Sequence, residues 1–240
     1  MLEVRKAENR GTGRTGWLDS RHSFSFANYY DPEQIGFSDL LVINDDRVRP
    51  RGGFGTHPHQ DMEIFSYVLD GKLQHKDSMG VTSVNGGGDI QMMSAGTGIY
   101  HSEFNADDGE LLRFLQIWLV PDKKGIKPRY HQKHFTVEEK RGRFRLVISP
   151  DNEEGTLPIS QDAKVYAGLF DGDESAELRL EPDRYAYIQV ARGRIRVNGV
   201  TLREGDGARV RNEEVLKFDS GEGAEVLVFD LRPIERPDFY

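Results

Sequence analysis

The sequence predicts an all-β protein made of two successive β-barrel domains. Helical periodicity is almost absent, short apolar-rich or alternating stretches recur along all 240 residues, and one arrangement of strands and glycine turns occurs twice. Glycine is also frequent, with 26 residues, and chains with many short strands need glycine for their tight turns. Many short strands separated by such turns are typical of sandwiches and barrels.

Eleven stretches have the composition and period of strands, and most are bounded by Gly, Pro, Asp or Asn. The best helix candidate, Thr136–Arg141, is only one or two turns long. In chain order the predicted strands are Leu40–Asn44, Ile64–Leu69, Lys72–Lys76, Ile90–Ser94, Leu111–Val120, Phe144–Ser149, Val165–Phe170, Tyr185–Val190, Arg194–Asn198, Val215–Phe218 and Ala224–Leu231.

An internal repeat indicates that the barrel occurs twice. The stretches Tyr67–Lys76 and Tyr187–Val197 each contain an apolar strand, a glycine turn and an alternating strand. The glycines of these two turns, Gly71 and Gly193, are 122 residues apart. Two copies of a six-to-eight-strand barrel fit the chain length, and differences in loop length would let this spacing differ from one pair of matching glycines to another.

A second pair of turns supports the repeat, because Gly88-Asp89 and Gly205-Asp206 each lead into a new strand at a spacing of 117 residues. We therefore expect an N-terminal barrel over residues 1–130. Residues 131–240 are expected to form a linker and a C-terminal barrel. The charged, proline-containing stretch Pro121–Arg143 is the predicted junction.

Composition excludes several classes of function. The net charge of −8 gives no overall cationic field for nucleic acid, and we expect no direct nucleic-acid binding. The chain has no cysteine, which excludes disulfides and thiolate metal sites. The N-terminus lacks the apolar run of a signal peptide, and no uncharged apolar stretch approaches the ~18 residues that span a bilayer. A cytoplasmic protein without membrane contact is the expectation.

The histidines predict a metal site in the first barrel. All seven lie at or before His134, so the second copy has none. His57-Pro-His59 places two imidazoles at i and i+2, where side chains of an extended strand point the same way. His101-Ser-Glu103 repeats this spacing, so two such pairs on facing strands put three imidazoles and one carboxylate around a point. Pro58 cannot donate a ladder hydrogen bond, which predicts an edge strand, a bulge or a strand start there.

The predicted ligands of one divalent transition metal are thus His57, His59, His101 and Glu103. Ligation by nitrogen and oxygen alone does not choose among the divalent transition metals. Fe(II) is the first expectation, and Zn, Mn, Ni, Co and Cu are the alternatives. Glu63 competes for the carboxylate position. On a straight strand it lies roughly 13 Å from His59, and only a bend after Gln60 would bring it to the metal.

The other four histidines lack this pairing. His75 is expected on the surface, and His131 and His134 fall in the predicted linker. His22 either lines a pocket or packs structurally.

Two motifs resemble those of the cupins: His57-x-His59-x-x-x-Glu63 followed by Gly71, and Gly98-x-x-His101-x-x-x-Asn105. Longer strings are similar to the pirin family, densely over residues 16–130 and more loosely to the end of the chain. They are Trp17-Leu-Asp-Ser20, Phe24-Ser-Phe-Ala-Asn-Tyr-Tyr30, Gly55-Thr-His-Pro-His59, Asp61-Met-Glu63 and Met93-Ser-Ala-Gly-Thr-Gly98.

This resemblance implies a bicupin whose second barrel has lost its metal ligands. It carries the four pirin ligands onto His57, His59, His101 and Glu103. Bacterial pirins are similar to quercetin 2,3-dioxygenases, which implies a flavonol substrate and O₂, with loss of carbon monoxide and Glu103 as the catalytic base. The alternative is a non-enzymatic metal-binding regulator, as animal pirins are, that senses redox state and binds a protein partner.

Four apolar side chains are candidates for the walls of a pocket for a flat aromatic substrate, since such pockets are mostly apolar. Barrel core is the competing interpretation for each of them. They are Phe24, Phe26, Met92 and Phe104.

Overall fold

Almost every regular element of the computed structural model, which describes residues 1–150 and 155–237, is a β-strand. The first half contains β1 (Leu2–Arg5), β2 (Gly11–Arg14), β3 (Leu18–His22), β4 (Leu40–Val48), β5 (Gly53–His59), β6 (Glu63–Asp70), β7 (Lys72–Asp77), β8 (Thr82–Gly86), β9 (Asp89–Ser94), β10 (Ile99–Asn105), β11 (Leu112–Leu119) and β12 (Arg129–His134). The second half contains β13 (Phe144–Ser149), β14 (Leu157–Pro158), β15 (Lys164–Phe170), β16 (Ala176–Arg179), β17 (Tyr185–Val197), β18 (Val200–Arg203), β19 (Gly207–Val210) and β20 (Val215–Leu231). The all-β prediction is confirmed.

Two short helices complete the described elements, a 3₁₀ turn at Ala7–Asn9 and α1 at Val137–Lys140. Helix α1 lies inside the predicted stretch and begins with a capping box. The Thr136 hydroxyl accepts the Glu139 amide at 3.3 Å, and the Glu139 carboxylate accepts the Thr136 amide at 2.8 Å. No helix in the described part of the chain is long and apolar enough to cross a membrane.

The first half folds as two sheets that pack face to face. One has seven strands in the order β12-β9-β6-β11-β4-β3-β2, and the other has four in the order β5-β10-β7-β8. Side chains from both sheets meet between them, for example Leu73 of β7 with Val68 and Phe114. The space enclosed by these sheets is called the first lumen below.

The second half is a nine-stranded sheet with the central order β1-β19-β17-β20-β15-β13-β14, to which β16 and β18 attach at β20 and β17. Its inner face encloses a second lumen filled by apolar side chains such as Ile188, Val226 and Phe218. Strand β1 comes from the N-terminus of the chain and pairs with β19.

Two predicted strand boundaries in the second half are wrong. The predicted strand Tyr185–Val190 and the predicted strand Arg194–Asn198, without its last residue, form the single strand β17, and the last two predicted strands are joined in β20. The pairing of β17 with β20 continues through register shifts, which are bulges, instead of stopping at Gly193. Gly193 has φ 67°, and a Cβ there would collide with the carbonyl oxygens of Glu222 and Gly223, so glycine serves a bulge and not a turn.

The internal repeat is visible in one pair of main-chain hydrogen bonds. The amide of Gly88 donates to the carbonyl of Val68 at 3.0 Å, and the amide of Gly205 donates to the carbonyl of Val190 at 2.8 Å. Both glycines have positive φ, 86° and 84°. Each half therefore has the same turn, hydrogen-bonded to an equivalent strand: β6 in the first half and β17 in the second.

The predicted junction Pro121–Arg143 contains regular structure. Strand β12 lies within it and pairs with β9, so it extends the sheet of the first half, and α1 follows. The division of the chain near residue 130 stays a prediction.

One apolar cluster joins the two halves. Alternate side chains of β6 and β11, such as Phe65 and Ile117, point away from the first lumen and contact Phe229 and other residues of the nine-stranded sheet. Phe24 and Met92 are buried in this cluster, so both are core residues and not pocket walls. The side chains that remain for the first lumen include Ser66, Gln91 and Gln116, which form a polar layer in its middle.

Candidate metal centre

Strands β5 and β10 bring the two predicted ligand pairs together. They are antiparallel neighbours in the four-stranded sheet, and not strands facing each other across the barrel, with His57 directly opposite His101. Strand β5 is an edge strand, where proline is tolerated because its missing amide takes no hydrogen bond away from a neighbouring strand. Along β10 the odd-numbered residues are buried, which directs His101 and Glu103 inward.

Three imidazoles converge where these strands meet. One nitrogen each from His57, His59 and His101 lies within 4.8 Å of the other two. The Nε2 atoms of His57 and His101 are 3.0 Å apart. The Nε2 atom of His59 is buried and has no hydrogen-bond partner among the described residues. Three ring nitrogens thus point at a common centre.

The rings are held in the form that can donate a lone pair. Burial, together with the neighbouring imidazoles, lowers the pKa of His59 and of His101 to about 3, so both are neutral at neutral pH. The Nδ1 of His57 lies 2.7 Å from the carbonyl oxygen of Gly55. Since a carbonyl only accepts, His57 carries its proton on Nδ1 and presents Nε2 to the centre.

Glu103 is buried between this cluster and the polar layer. Its Oε1 accepts hydrogen bonds from Gln91 at 2.5 Å and Ser66 at 3.3 Å, and its Oε2 accepts one from Gln116 at 2.9 Å. Burial raises the pKa of this carboxyl, and nearby histidines and the Ser66 hydrogen bond oppose that rise. Its carboxylate lies within 4.8 Å of ring nitrogens of His101 and His75.

The competing carboxylate, Glu63, lies elsewhere. The chain does bend after Gln60, where Asp61 has φ 46°, but the bend leads β6 into the seven-stranded sheet. There Glu63 accepts hydrogen bonds from the Ser94 hydroxyl at 2.9 Å and the Ser160 amide at 3.1 Å. The bend that could have carried it to the imidazoles therefore turns it towards the second half.

The prediction that His75 lies on the surface is wrong. It is completely buried, its Nδ1 is 3.5 Å from Nδ1 of His101, and its Nε2 is 2.9 Å from Oδ2 of Asp77. The sequence does contain a signal for it. His75-Lys-Asp77 is a third pair at i and i+2, and an interior strand such as β7 turns both side chains to the same face.

The remaining histidines lie outside the cluster. His131 and His134 are on β12 instead of in a linker, and exposed His134 contacts Asp89 at 2.6 Å. His22 is buried and packs edge-on against Phe26, with ring centroids 5.3 Å apart.

Aromatic rings connect Phe26 to the imidazoles. Phe26 packs edge-on against Trp118 at 5.5 Å, and Trp118 packs edge-on against His59 at 4.9 Å. Phe104 follows Glu103 on β10 and is half-buried. Phe26, unlike Phe24 and Met92, is connected to the cluster by ring contacts, whereas Phe104 lies on the face of β10 opposite to His101 and Glu103.

Two protein-family models match most of the chain. The pirin family model matches residues 3–119, and the model of the quercetinase C-terminal cupin domain matches residues 146–231. The chain belongs to the pirin family. The predicted tandem cupin fold and the predicted resemblance are both confirmed.

Curated relatives match almost the whole chain. A quercetin 2,3-dioxygenase of Escherichia coli (strain K12) is 45% identical over 98% of this chain and 100% of its own length. A pirin-like protein of Caulobacter vibrioides is 38% identical over 96% of this chain and 99% of its own. The expected likeness to quercetin 2,3-dioxygenases, which are oxidoreductases, is confirmed by this similarity.

Solved pirin structures agree with the fold. The crystal structure of YhhW from Escherichia coli has a TM-score of 0.93 at 45% identity and covers 98% of this chain and 99% of that one. The same bacterial pirin in complex with nickel(II) has a TM-score of 0.92 and covers 98% of this chain and all of that one.

Proposed function

We propose that this pirin is a metal-dependent dioxygenase that opens flavonols such as quercetin. The observation that carries the proposal is the convergence of three imidazoles, two of which have pKa values lowered to about 3, beside a buried carboxylate. A relative named quercetin 2,3-dioxygenase, 45% identical over almost the whole chain, supports it. A cytoplasmic location and a protein partner stay predictions.

The proposed ligands are His57, His59, His101 and Glu103. The residues fit a divalent transition metal, because the donors are imidazole nitrogens with free lone pairs and one carboxylate, and the buried Nε2 of His59 has no other described partner. Fe(II) is the first candidate, since histidine and carboxylate ligation with open positions is typical of non-haem Fe(II) oxygenases. Nickel(II), bound by the bacterial pirin of Escherichia coli, is the second.

A metal held by these residues would supply Lewis acidity towards a substrate oxygen. Glu103 acts as ligand and base in turn: it takes the proton of the flavonol 3-hydroxyl, and burial, which raises the pKa of this carboxyl, helps it to hold that proton. Gln91 and Gln116 keep the carboxylate in place through their amide groups. The deprotonated flavonol then reacts with O₂, and its ring opens with loss of carbon monoxide.

The aromatic residues beside the imidazoles orient the substrate in this proposal. Trp118 and Phe26 form a continuous edge-packed pair that ends at His59, and a flat flavonol ring can lie against them.

The test is oxygen uptake by metal-quantified protein given quercetin, with His101→Ala and Glu103→Gln beside the wild type. We expect uptake that follows metal content in the wild type and is lost in His101→Ala. Glu103→Gln should lose at least about 100-fold in kcat, the scale of positioned acid–base catalysis. His134→Ala, at an exposed histidine outside the cluster, is the matched control and should keep full activity. Full metal occupancy without uptake would refute the dioxygenase and favour the regulator.

A further inference from the structure

A buried aspartate and two histidines form a line that ends at the proposed metal centre. Oδ2 of Asp77 is 2.9 Å from Nε2 of His75, and Nδ1 of His75 is 3.5 Å from Nδ1 of His101. The other nitrogen of His101, Nε2, is directed at His57. The side chains of both Asp77 and His75 are at most 1% exposed, so solvent does not interrupt the line.

The hydrogen bonds of Asp77 decide where the protons of this line lie. Its Oδ1 accepts the backbone amides of Met79 at 2.9 Å and Val81 at 3.1 Å, which fixes the carboxylate at the turn after β7. Because a carboxylate only accepts, Nε2 of His75 must be the donor to Oδ2. With Nε2 as the donor, the Nδ1 of His75 faces Nδ1 of His101 at 3.5 Å and is the acceptor of that contact.

The proton of His101 is therefore on Nδ1, and its Nε2 keeps the lone pair that faces the other two imidazoles. We propose that Asp77 and His75 are positioning residues that fix the tautomer and the ring orientation of His101 for metal binding. This inference rests on the proposed metal site. Histidine ligands commonly donate their second N–H to a carboxylate or carbonyl, which raises their basicity and fixes their rings.

Two neighbours of the line support this role. His57 has the corresponding device in simpler form, since its Nδ1 donates to the main-chain carbonyl of Gly55 at 2.7 Å. The ring of Tyr130 stacks on His75 with centroids 4.5 Å apart and an interplanar angle of 25°, which holds that ring in its plane. The hydroxyl of Tyr130 is itself hydrogen-bonded to Ser83 at 2.6 Å.

The first experiment needs no metal. Long-range ¹H–¹⁵N spectra of metal-free, ¹⁵N-histidine-labelled protein identify the protonated nitrogen of each ring. We expect His75 protonated on Nε2 and His101 on Nδ1. In Asp77→Asn the new amide group can donate to His75, while its oxygen still accepts the turn amides, so both tautomers should reverse. Wild-type spectra with His75 protonated on Nδ1 would overturn the proposal.

The second experiment measures the dissociation constant for Ni(II) by calorimetry. We expect Asp77→Asn to weaken binding about 10- to 100-fold, the usual effect of losing the partner of a histidine ligand. Asp89→Asn is the matched control. Asp89 likewise accepts a turn amide, that of Gly86 at 2.6 Å, and contacts a histidine, His134 at 2.6 Å, but it lies outside the cluster. The Ni(II) affinity of Asp89→Asn should therefore stay within 2-fold of the wild-type value. An unchanged affinity in Asp77→Asn refutes the positioning role.

Variants of His75 separate positioning from direct ligation. Glutamine at this position can accept from His101 and donate to Asp77, so His75→Gln should bind Ni(II) more tightly than His75→Leu. Equal losses in both variants would indicate that His75 is itself a ligand and would refute the proposal. Wild-type protein that binds no Ni(II), Fe(II) or Zn(II) would instead refute the proposed metal site, while the metal-free spectra would still report on the line.

Discussion

At the scale of single residues, the polar layer of the first lumen extends beyond the donors to Glu103. Ser20 lies opposite Asp46 and His22 opposite Asn44 in the pairing of β3 with β4, and all four are buried. Burial, together with the nearby carboxylates of Asp45 and Glu103, raises the pKa of Asp46 to about 7, although a hydrogen bond from Ser20 opposes that rise. Keeping this side of the lumen polar therefore costs stability whenever Asp46 is charged.

Asp46→Asn tests this cost. The folded-state pKa of about 7 lies above the ordinary 3.8, so the folded protein holds the proton more tightly and loses stability as the pH rises from about 4 to about 7. Asparagine removes the charge. We expect the variant to gain on the wild type by up to about 3 kcal/mol between pH 4.5 and pH 8 in urea unfolding. A difference in stability that is the same at both pH values would contradict the prediction.

Residue spacing predicts only part of the candidate site. The i and i+2 pairs were visible because a strand repeats its side-chain direction every two residues, and the structure brings His57, His59 and His101 together. The donors to Glu103 were not predictable. Ser66, Gln91 and Gln116 come from three strands whose register is set by long-range pairing, and each is an ordinary polar residue in the sequence.

At the scale of elements, the site depends on how closely β5 approaches β10. Gly53 lies opposite Phe104, and a Cβ there would come within 2.6 Å of the Phe104 Cα and closer still to the carbonyl oxygen of Glu103. The register of the two strands shifts between His101 and Glu103. Glycine at this position therefore allows the irregular pairing that turns both side chains inward.

Gly53→Ala should push the two strands apart at the carboxylate. We expect a loss of about 1–3 kcal/mol in the free energy of unfolding of the metal-free protein, together with weaker Ni(II) binding. Gly55→Ala is the matched control, because it lies on the same strand and a Cβ there meets no atom within 4 Å. Urea unfolding and calorimetric titration check both variants. Equal effects of the two substitutions would show that close approach at residue 53 is unimportant.

Each predicted stretch falls on a strand, but strand ends and several further strands, among them β8 and β10, did not follow from composition. The predicted Phe144–Ser149 coincides with β13, whereas β17 runs through Gly193 because bulges let the ladder continue past it. A glycine with positive φ suits a turn and a bulge equally, so only the long-range partner strand decides between them. At Gly71 the chain leaves β6 of the seven-stranded sheet and enters β7 of the four-stranded sheet, so the predicted turn is present.

At the scale of the whole molecule, the two barrels differ in what fills them. The second lumen is packed with apolar side chains, while the first has a polar layer with the imidazoles at one end. The absence of histidine from the second half predicted this division of roles. The apolar cluster between the halves was not predictable, because alternate residues of β6 and β11 look alike in sequence whichever way they face.

Contacts between the halves suggest that they unfold together. The hydroxyl of Tyr67 donates to Glu225 at 2.6 Å and accepts from buried Lys140 at 3.0 Å, and Arg113 donates to the carbonyl of Ala191 at 3.0 Å. These polar contacts lie beside the shared apolar cluster, whose loss would expose large surfaces of both sheets. Partial unfolding of one half would therefore leave the other without its largest contact.

The two tryptophans, Trp17 and Trp118, both lie in the first half, whereas circular dichroism reports the strands of both. If the halves form one cooperative unit, the two signals should show the same thermal midpoint. Ni(II) at 100 times its dissociation constant should stabilise the fold by about 2.7 kcal/mol and raise both midpoints equally, although the proposed ligands lie in the first half alone. A dichroism transition that stays in place while the fluorescence midpoint rises would show that the second barrel folds independently of the metal centre.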